Sequence, residues 1–135
     1  MLPFRFSALP LSFSGQMLAA GFPSPADDYI EEPLDLADIL VRNKQASFLV
    51  RASGHSMHGK GLYDGDYLII DRSVTPRPGH IVVAVVDGEF TLKQLAKAPT
   101  GFVLRAAHPD YPDIPANDVE IWGCLYSSSR LWLPR

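Results

Sequence analysis

The sequence predicts a mainly β domain of short, mostly antiparallel strands with one short helix, preceded by an extended N-terminal arm. Three observations carry this expectation. Apolar, β-rich runs recur beyond residue 47, each bounded by Gly, Pro or Asp turns. Asp87-Gly88 separates two of them and is the strongest short hairpin signal, because a type I′ turn needs positive φ at both central positions. Helical spacing of apolar residues occurs once only, briefly, after Asp35.

Residues 1–33 form the arm. Pro3, Pro10, Pro23, Pro25 and Pro33 remove backbone donors and favour extended conformations, so the segment does not read as a packed element. It is not hydrophilic, however. Phe4, Phe6, Leu9, Leu11, Phe13, Met17, Leu18 and Phe22 suit an arm docked on a surface rather than one loose in water. Residues 34–135 form the domain. Asp35 is placed to cap a helix with Leu36, Ile39 and Leu40 on one apolar face, and Asn43 to stop it.

Phe48–Ala52 reads as the first core strand, broken at Ser53-Gly54. Gly59, Gly61 and Asp64-Gly65-Asp66 surround Leu62-Tyr63 in a turn-rich connector. Tyr67–Ile70 is nearly continuous in apolar residues, as for a strand buried on both faces. After the break at Pro76, Pro78 and Gly79, Ile81–Val86 and Glu89–Leu95 form the hairpin around Asp87-Gly88. Phe102–Ala106 and Val119–Tyr126 supply two further strands, with Pro109, Pro112 and Pro115 in the loop between them.

A chain of 135 residues, 47% hydrophobic and 20% charged, fits one domain with a real core. The formal charge of −3 and the singly scattered basic residues give no electrostatic footprint for direct nucleic-acid binding. Cys124 is the only cysteine, so no disulfide framework and no Cys-based zinc site is expected, and a reducing cytoplasm suits it. No apolar run is long enough to span a bilayer. Leu18-Ala19-Ala20 has the small residues of a secretory cleavage site. Pro10, Ser12, Ser14, Gly15 and Gln16 nevertheless interrupt the apolar core that such a signal needs.

The chemistry-bearing residues are Ser56, in the turn Ala52-Ser53-Gly54-His55-Ser56-Met57, and Lys93, in the strand Glu89–Leu95. A serine hydroxyl needs a base beside it to attack a carbonyl. A lysine serves as that base only where desolvation disfavours its ammonium form. Period two puts Thr91, Lys93 and Leu95 on one face of the strand and Phe90, Leu92 and Gln94 on the other, so Lys93 has apolar neighbours on either side. Backbone N–H groups around the Gly-flanked turn suit an oxyanion. On residue types alone, the commoner readings are Ser56 as a turn or capping residue and Lys93 as a strand-edge lysine reaching solvent. His55 and His58 bracket Ser56 and raise a Ser–His pair or a metal as alternatives, but no acidic residue is placed to orient an imidazole. His80 and His108 stand alone. Asp64 and Asp66 read as turn carboxylates, since the ligand run of a calcium loop is missing. No cofactor is expected.

Four segments then carry a resemblance: Gly21-Phe22-Pro23-Ser24-Pro25-Ala26, Ala52-Ser53-Gly54-His55-Ser56-Met57, Asp64-Gly65-Asp66 with its apolar strand, and Val86-Asp87-Gly88-Glu89-Phe90-Thr91-Leu92-Lys93. In order and spacing they closely resemble the LexA/UmuD family of self-cleaving serine peptidases. The likeness runs from about Gly21 to the C-terminus, and residues 1–20 match loosely. It implies a LexA-type peptidase fold, Ser56 as nucleophile, Lys93 as general base, and a scissile bond at Ala20–Gly21. It also implies a homodimer, cleavage promoted by a RecA filament on single-stranded DNA, and a shortened product that joins a UmuC-type Y-family polymerase in translesion synthesis during the SOS response.

Two residues depart from the family pattern. His55 stands where an acidic residue is common, and Ala20 stands, as in LexA-type repressors, where UmuD-type proteins have Cys. There is no room before the arm for a helix-turn-helix, which argues against a repressor. A non-enzymatic regulatory or dimerisation module of the same fold is the alternative. A signal-peptidase-like enzyme, which also pairs Ser with Lys, would need a membrane anchor.

Overall fold

A computed structural model of the chain describes residues 10–14, 31–117 and 119–133, with side chains from Asp35 onward. The Ala20–Gly21 junction lies outside the described residues. Within the arm, β1 (Pro10–Ser14) pairs antiparallel with β2 (Glu31–Asp35), from Pro10 opposite Asp35 to Ser14 opposite Glu31. Pro10 and Pro33 masked this pairing in the sequence. In a two-stranded ribbon every strand is an edge, the place where prolines are tolerated.

Asp35 caps α1 (Leu36–Leu40) as expected, its carboxylate accepting the Ala37 N–H at 3.0 Å. The expected apolar face is not the one buried. Ala37 packs with Val41 and Ile69, whereas Ile39 is 46% exposed. A helix of one turn is too short to present a full stripe: of the expected face, Leu40 packs partly against this cluster and Ile39 does not. It ends at Val41, whose N–H reaches the Ala37 carbonyl at 2.9 Å. Asn43 instead caps the following 3-10 turn, Lys44–Ala46, by accepting the Ala46 N–H.

The remaining strands are β3 (Ser47–Arg51), β4 (Tyr67–Asp71), β5 (Ile81–Val86), β6 (Glu89–Ala98), β7 (Gly101–Arg105), β8 (Ile114–Pro115) and β9 (Glu120–Ser129). They form one seven-stranded antiparallel sheet in the order β3-β4-β9-β5-β6-β7-β8. The mainly β architecture with one short helix is therefore as expected. The two-residue β8 lies in the proline-rich loop and was not anticipated. The hairpin β5–β6 turns at Asp87 (φ 51°) and Gly88 (φ 78°), the two positive angles that a type I′ turn requires.

Alternation along the strands divides the core. Leu68, Ile70 and Val83 point to one face with Val50, Met57 and Leu62, while Val82 and Ala84 point to the other with Leu95, Leu104 and Cys124. Ile69 of β4 meets α1, so this strand is buried on both faces, as its composition suggested. β9 carries the sheet's irregularities. Its register shifts against β4 between Ile69 and Ile70, and against β5 between Val83 and Ala84. The extra residues left over are Tyr126 and Trp122. Between these shifts Gly123 allows close approach, since a Cβ there would lie 2.6 Å from Ile70 Cγ2.

Candidate active site

Ser56 sits on the connector between β3 and β4, and backbone contacts hold that connector on both sides. The Ala52 N–H donates to the Asp66 carbonyl and the Gly65 N–H returns to the Ala52 carbonyl, each at 2.8 Å. Gly54, at φ +90°, turns the chain in a conformation that side chains resist, and its N–H donates to Asp64 Oδ1 at 2.9 Å. Met57 then plunges into the core beside Val50, Leu62 and Leu68. The Ser56 carbonyl accepts the Ala107 N–H at 2.7 Å. Its neighbours fix the serine before any partner is considered.

Asp64 and Asp66 are turn carboxylates, as read from sequence, but Asp66 does more. Its side chain is 3% exposed, accepts the Tyr63 N–H at 2.9 Å, and is gripped by Arg130 at 2.7 Å to each oxygen. Those Arg130 contacts hold its carboxyl below the usual carboxylate range. Arg130 also donates to the Gly61 carbonyl and covers the Tyr63 ring at 4.5 Å. The end of β9 therefore braces the connector that carries Ser56. Nothing in the local sequence signals a partner 64 residues away.

Lys93 lies on β6 opposite Val82, and only 7% of it is exposed. Its Nζ is 3.1 Å from Ser56 Oγ, 2.7 Å from Thr91 Oγ1 and 3.2 Å from the Leu92 carbonyl. No carboxylate among the described residues pairs with it. Burial alone therefore acts on its charge, and pushes its pKa below the ordinary lysine value. As an ammonium, Lys93 donates to all three oxygens. As a neutral amine it has two N–H groups, which Thr91 and Leu92 can accept, and one lone pair. The lone pair is then left to accept the Ser56 O–H. Those three contacts suit proton transfer from serine to amine.

The pair opens on a cleft of about 270 Å³ whose walls include Leu62, Leu68, Phe90, Leu92 and Tyr111. The Tyr111 ring centroid is 5.9 Å from Lys93 Nζ. Sequence reasoning placed Thr91 on the Lys93 face without giving it a part, and overlooked Tyr111, which arrives from the loop after β7. The histidine rings have partners other than Ser56 Oγ among the described residues. His55 Nδ1 faces His58 Nε2 at 3.1 Å, His80 accepts the Arg77 N–H, and His108 accepts the Asp110 N–H. Among the described residues, no group of three or more His, Cys, Asp or Glu side chains is arranged to hold a metal ion. Cys124 is buried in the core, where burial pushes its thiol pKa up and makes it a poor nucleophile.

The family described as Peptidase S24-like matches residues 12–126. The chain belongs to it. This S24 peptidase is 45% identical over 106 residues to protein SamA of Salmonella typhimurium, covering 78% of this chain and 75% of SamA. It is 40% identical over 128 residues to protein MucA of Escherichia coli, covering 92% of this chain and 86% of MucA. A LexA repressor of Leptospira interrogans is 32% identical over 131 residues, covering 97% of this chain and 63% of the repressor. SamA and MucA are UmuD-like proteins and the repressor is more distant, so the chain is a UmuD-like member of an SOS mutagenesis family of serine peptidases.

Proposed function

We propose that this S24 peptidase cuts its own chain at Ala20–Gly21, with Ser56 as nucleophile and Lys93 as general base. The observation that carries the reading is the 3.1 Å approach of Ser56 Oγ to a buried lysine amine that no carboxylate among the described residues pairs with. The neutral amine takes the Ser56 proton as Oγ adds to the Ala20 carbonyl carbon. The resulting ammonium returns that proton to the Gly21 nitrogen as the C–N bond breaks, leaving an ester between Ser56 and Ala20. Lys93, neutral again, takes a proton from the water that hydrolyses the ester. Small residues at Ala20 and Gly21 suit a cleft of this size, and a tethered substrate supplies proximity without a separate binding step.

In this reading residues 1–33 are the substrate arm and residues 34–135 the peptidase and dimerisation domain. A RecA filament on single-stranded DNA favours the reactive pose of the arm, which is otherwise seldom populated. The shortened homodimer then serves a UmuC-type Y-family polymerase in translesion synthesis, in the cytoplasm. The test is the intact mass of purified protein incubated with RecA, ATP and single-stranded DNA. A product beginning at Gly21 is expected from wild type and none from Ser56→Ala or Lys93→Ala. Cleavage at that bond persisting in either variant rejects the mechanism. An intact wild-type chain, with or without RecA and at alkaline pH, favours a non-enzymatic module.

A further inference from the structure

His55 and His58 are drawn together by the turn that presents Ser56. The His58 N–H donates to the His55 carbonyl at 3.2 Å, a one-turn closure that sets the two side chains on the same side of the chain. Their rings meet edge-on, at 78° and with centroids 4.8 Å apart, and His55 Nδ1 lies 3.1 Å from His58 Nε2. The His58 ring also meets Tyr63, at 4.6 Å between centroids, and His108, at 6.3 Å, and Tyr63 is in turn covered by Arg130. These contacts orient the pair before any ligand arrives.

A 3.1 Å separation of two imidazole nitrogens admits one proton between them, or one metal ion. Zinc–nitrogen bonds of about 2.0–2.1 Å at a tetrahedral angle place two ligand nitrogens about 3.3 Å apart. Both rings must swing, each by about 35° from the line joining the two nitrogens, to aim their lone pairs at a common ion that displaces the proton. Each ring keeps its remaining nitrogen protonated, His55 at Nε2 and His58 at Nδ1. We propose that His55 and His58 form a binding site for a borderline divalent ion of the zinc, nickel and copper class. Two side-chain ligands leave the other positions to water, so the ion exchanges readily and is not a structural part of the fold. Imidazole selects this class over magnesium or calcium, which prefer oxygen.

The site adjoins the peptidase cleft, because His55 is one of its lining residues. An ion with its water shell there narrows the entry through which an extended segment reaches Ser56, and slows self-cleavage. That consequence rests on the proposed role of Ser56; the binding itself does not.

The test is zinc titration of the full chain carrying Ser56→Ala, at pH 7.5, followed by calorimetry and by the ring-nitrogen NMR signals of the histidines. One zinc per chain is expected, with shifts at His55 and His58 and no competition from excess magnesium. Loss of one outer-shell partner alone weakens metal sites by roughly 10–100-fold, so His55→Gln or His58→Gln should each weaken binding by about tenfold or more. His80→Gln should leave it intact, and circular dichroism checks that each variant is folded. No stoichiometric binding, or binding lost in His80→Gln but kept in His58→Gln, overturns the site. In the cleavage-competent chain, zinc should slow self-cleavage by wild type but not by His58→Gln, each relative to its own zinc-free rate. Equal cleavage rates for wild type with and without saturating zinc overturn the effect at the cleft entry while the titration still decides the binding.

Discussion

The pH dependence of self-cleavage tests the Lys93 environment directly. An ordinary lysine, with a pKa of 10.5, leaves about one amine in 3,000 uncharged at pH 7. Each unit by which burial lowers that value raises the uncharged fraction about tenfold, equivalent to about 1.4 kcal/mol. Without RecA, the rate should therefore climb about tenfold per pH unit above neutrality and level off at the Lys93 midpoint, below 10.5. The assay is the appearance of the shortened chain by mass, from about pH 6 to about pH 11. A plateau reached only at 10.5 or above, or a rate independent of pH, would refute a base set by burial. Stability gives a second readout. Between the lowered folded pKa and the unfolded one, the unfolded chain binds more protons, so stability rises with pH through that window. Relative to Lys93→Met, wild type should gain about 1.4 kcal/mol for each unit of the shift, seen in urea unfolding at several pH values.

Thr91→Val keeps the shape of the side chain but removes the oxygen 2.7 Å from Lys93 Nζ. With a buried N–H left unpaired, the folded chain should lose about 1–3 kcal/mol, seen as a lower Tm, and cleavage should slow because Lys93 Nζ is no longer held from the Thr91 side. Arg130→Met strips Asp66 of its charged partner and should lower Tm at pH 7. The folded Asp66 pKa is depressed, so the difference from wild type is present above 3.8 and fades as pH falls through the folded value below it. Gly123→Ala sets a methyl 2.6 Å from Ile70 Cγ2, where β9 crosses β4. Overpacking of this kind costs about 1–3 kcal/mol, measured by urea unfolding.

What the sequence disclosed were features written in neighbouring residues. Asp87-Gly88 names its own turn, Asp35 its own cap, and Gly54 its own break, because each is a matter of local backbone conformation. The near-continuous apolar run of β4 likewise disclosed a strand covered on both faces. Features that depend on distant chain were hidden. The Arg130 brace on Asp66, the arrival of Tyr111 at the cleft and the Ala107 clamp on the Ser56 carbonyl all join separated segments. The helix face was misread because its periodic signal came from three residues in a helix of a single turn. The β1–β2 pairing was hidden because prolines argue against strands in general, yet weakly against edges. Lys93 was an intermediate case. Its apolar flanks were legible, but the distance to Ser56 across 37 residues of sequence was not.

The order of strands has one further consequence, in time. Ser56 precedes β4 and Lys93 lies on β6, and β9 is hydrogen-bonded between β4 and β5. Among the described strands, the last in sequence is thus the one that joins the two halves of the sheet. A growing chain that has already made its arm, its serine and its lysine still lacks the strand that aligns them. Synthesis must pass through Ser129, the end of β9, before the sheet that sets Ser56 beside Lys93 is complete. In the proposed reading, an arm made early in synthesis therefore meets no complete Ser56–Lys93 pair until β9 has joined the sheet.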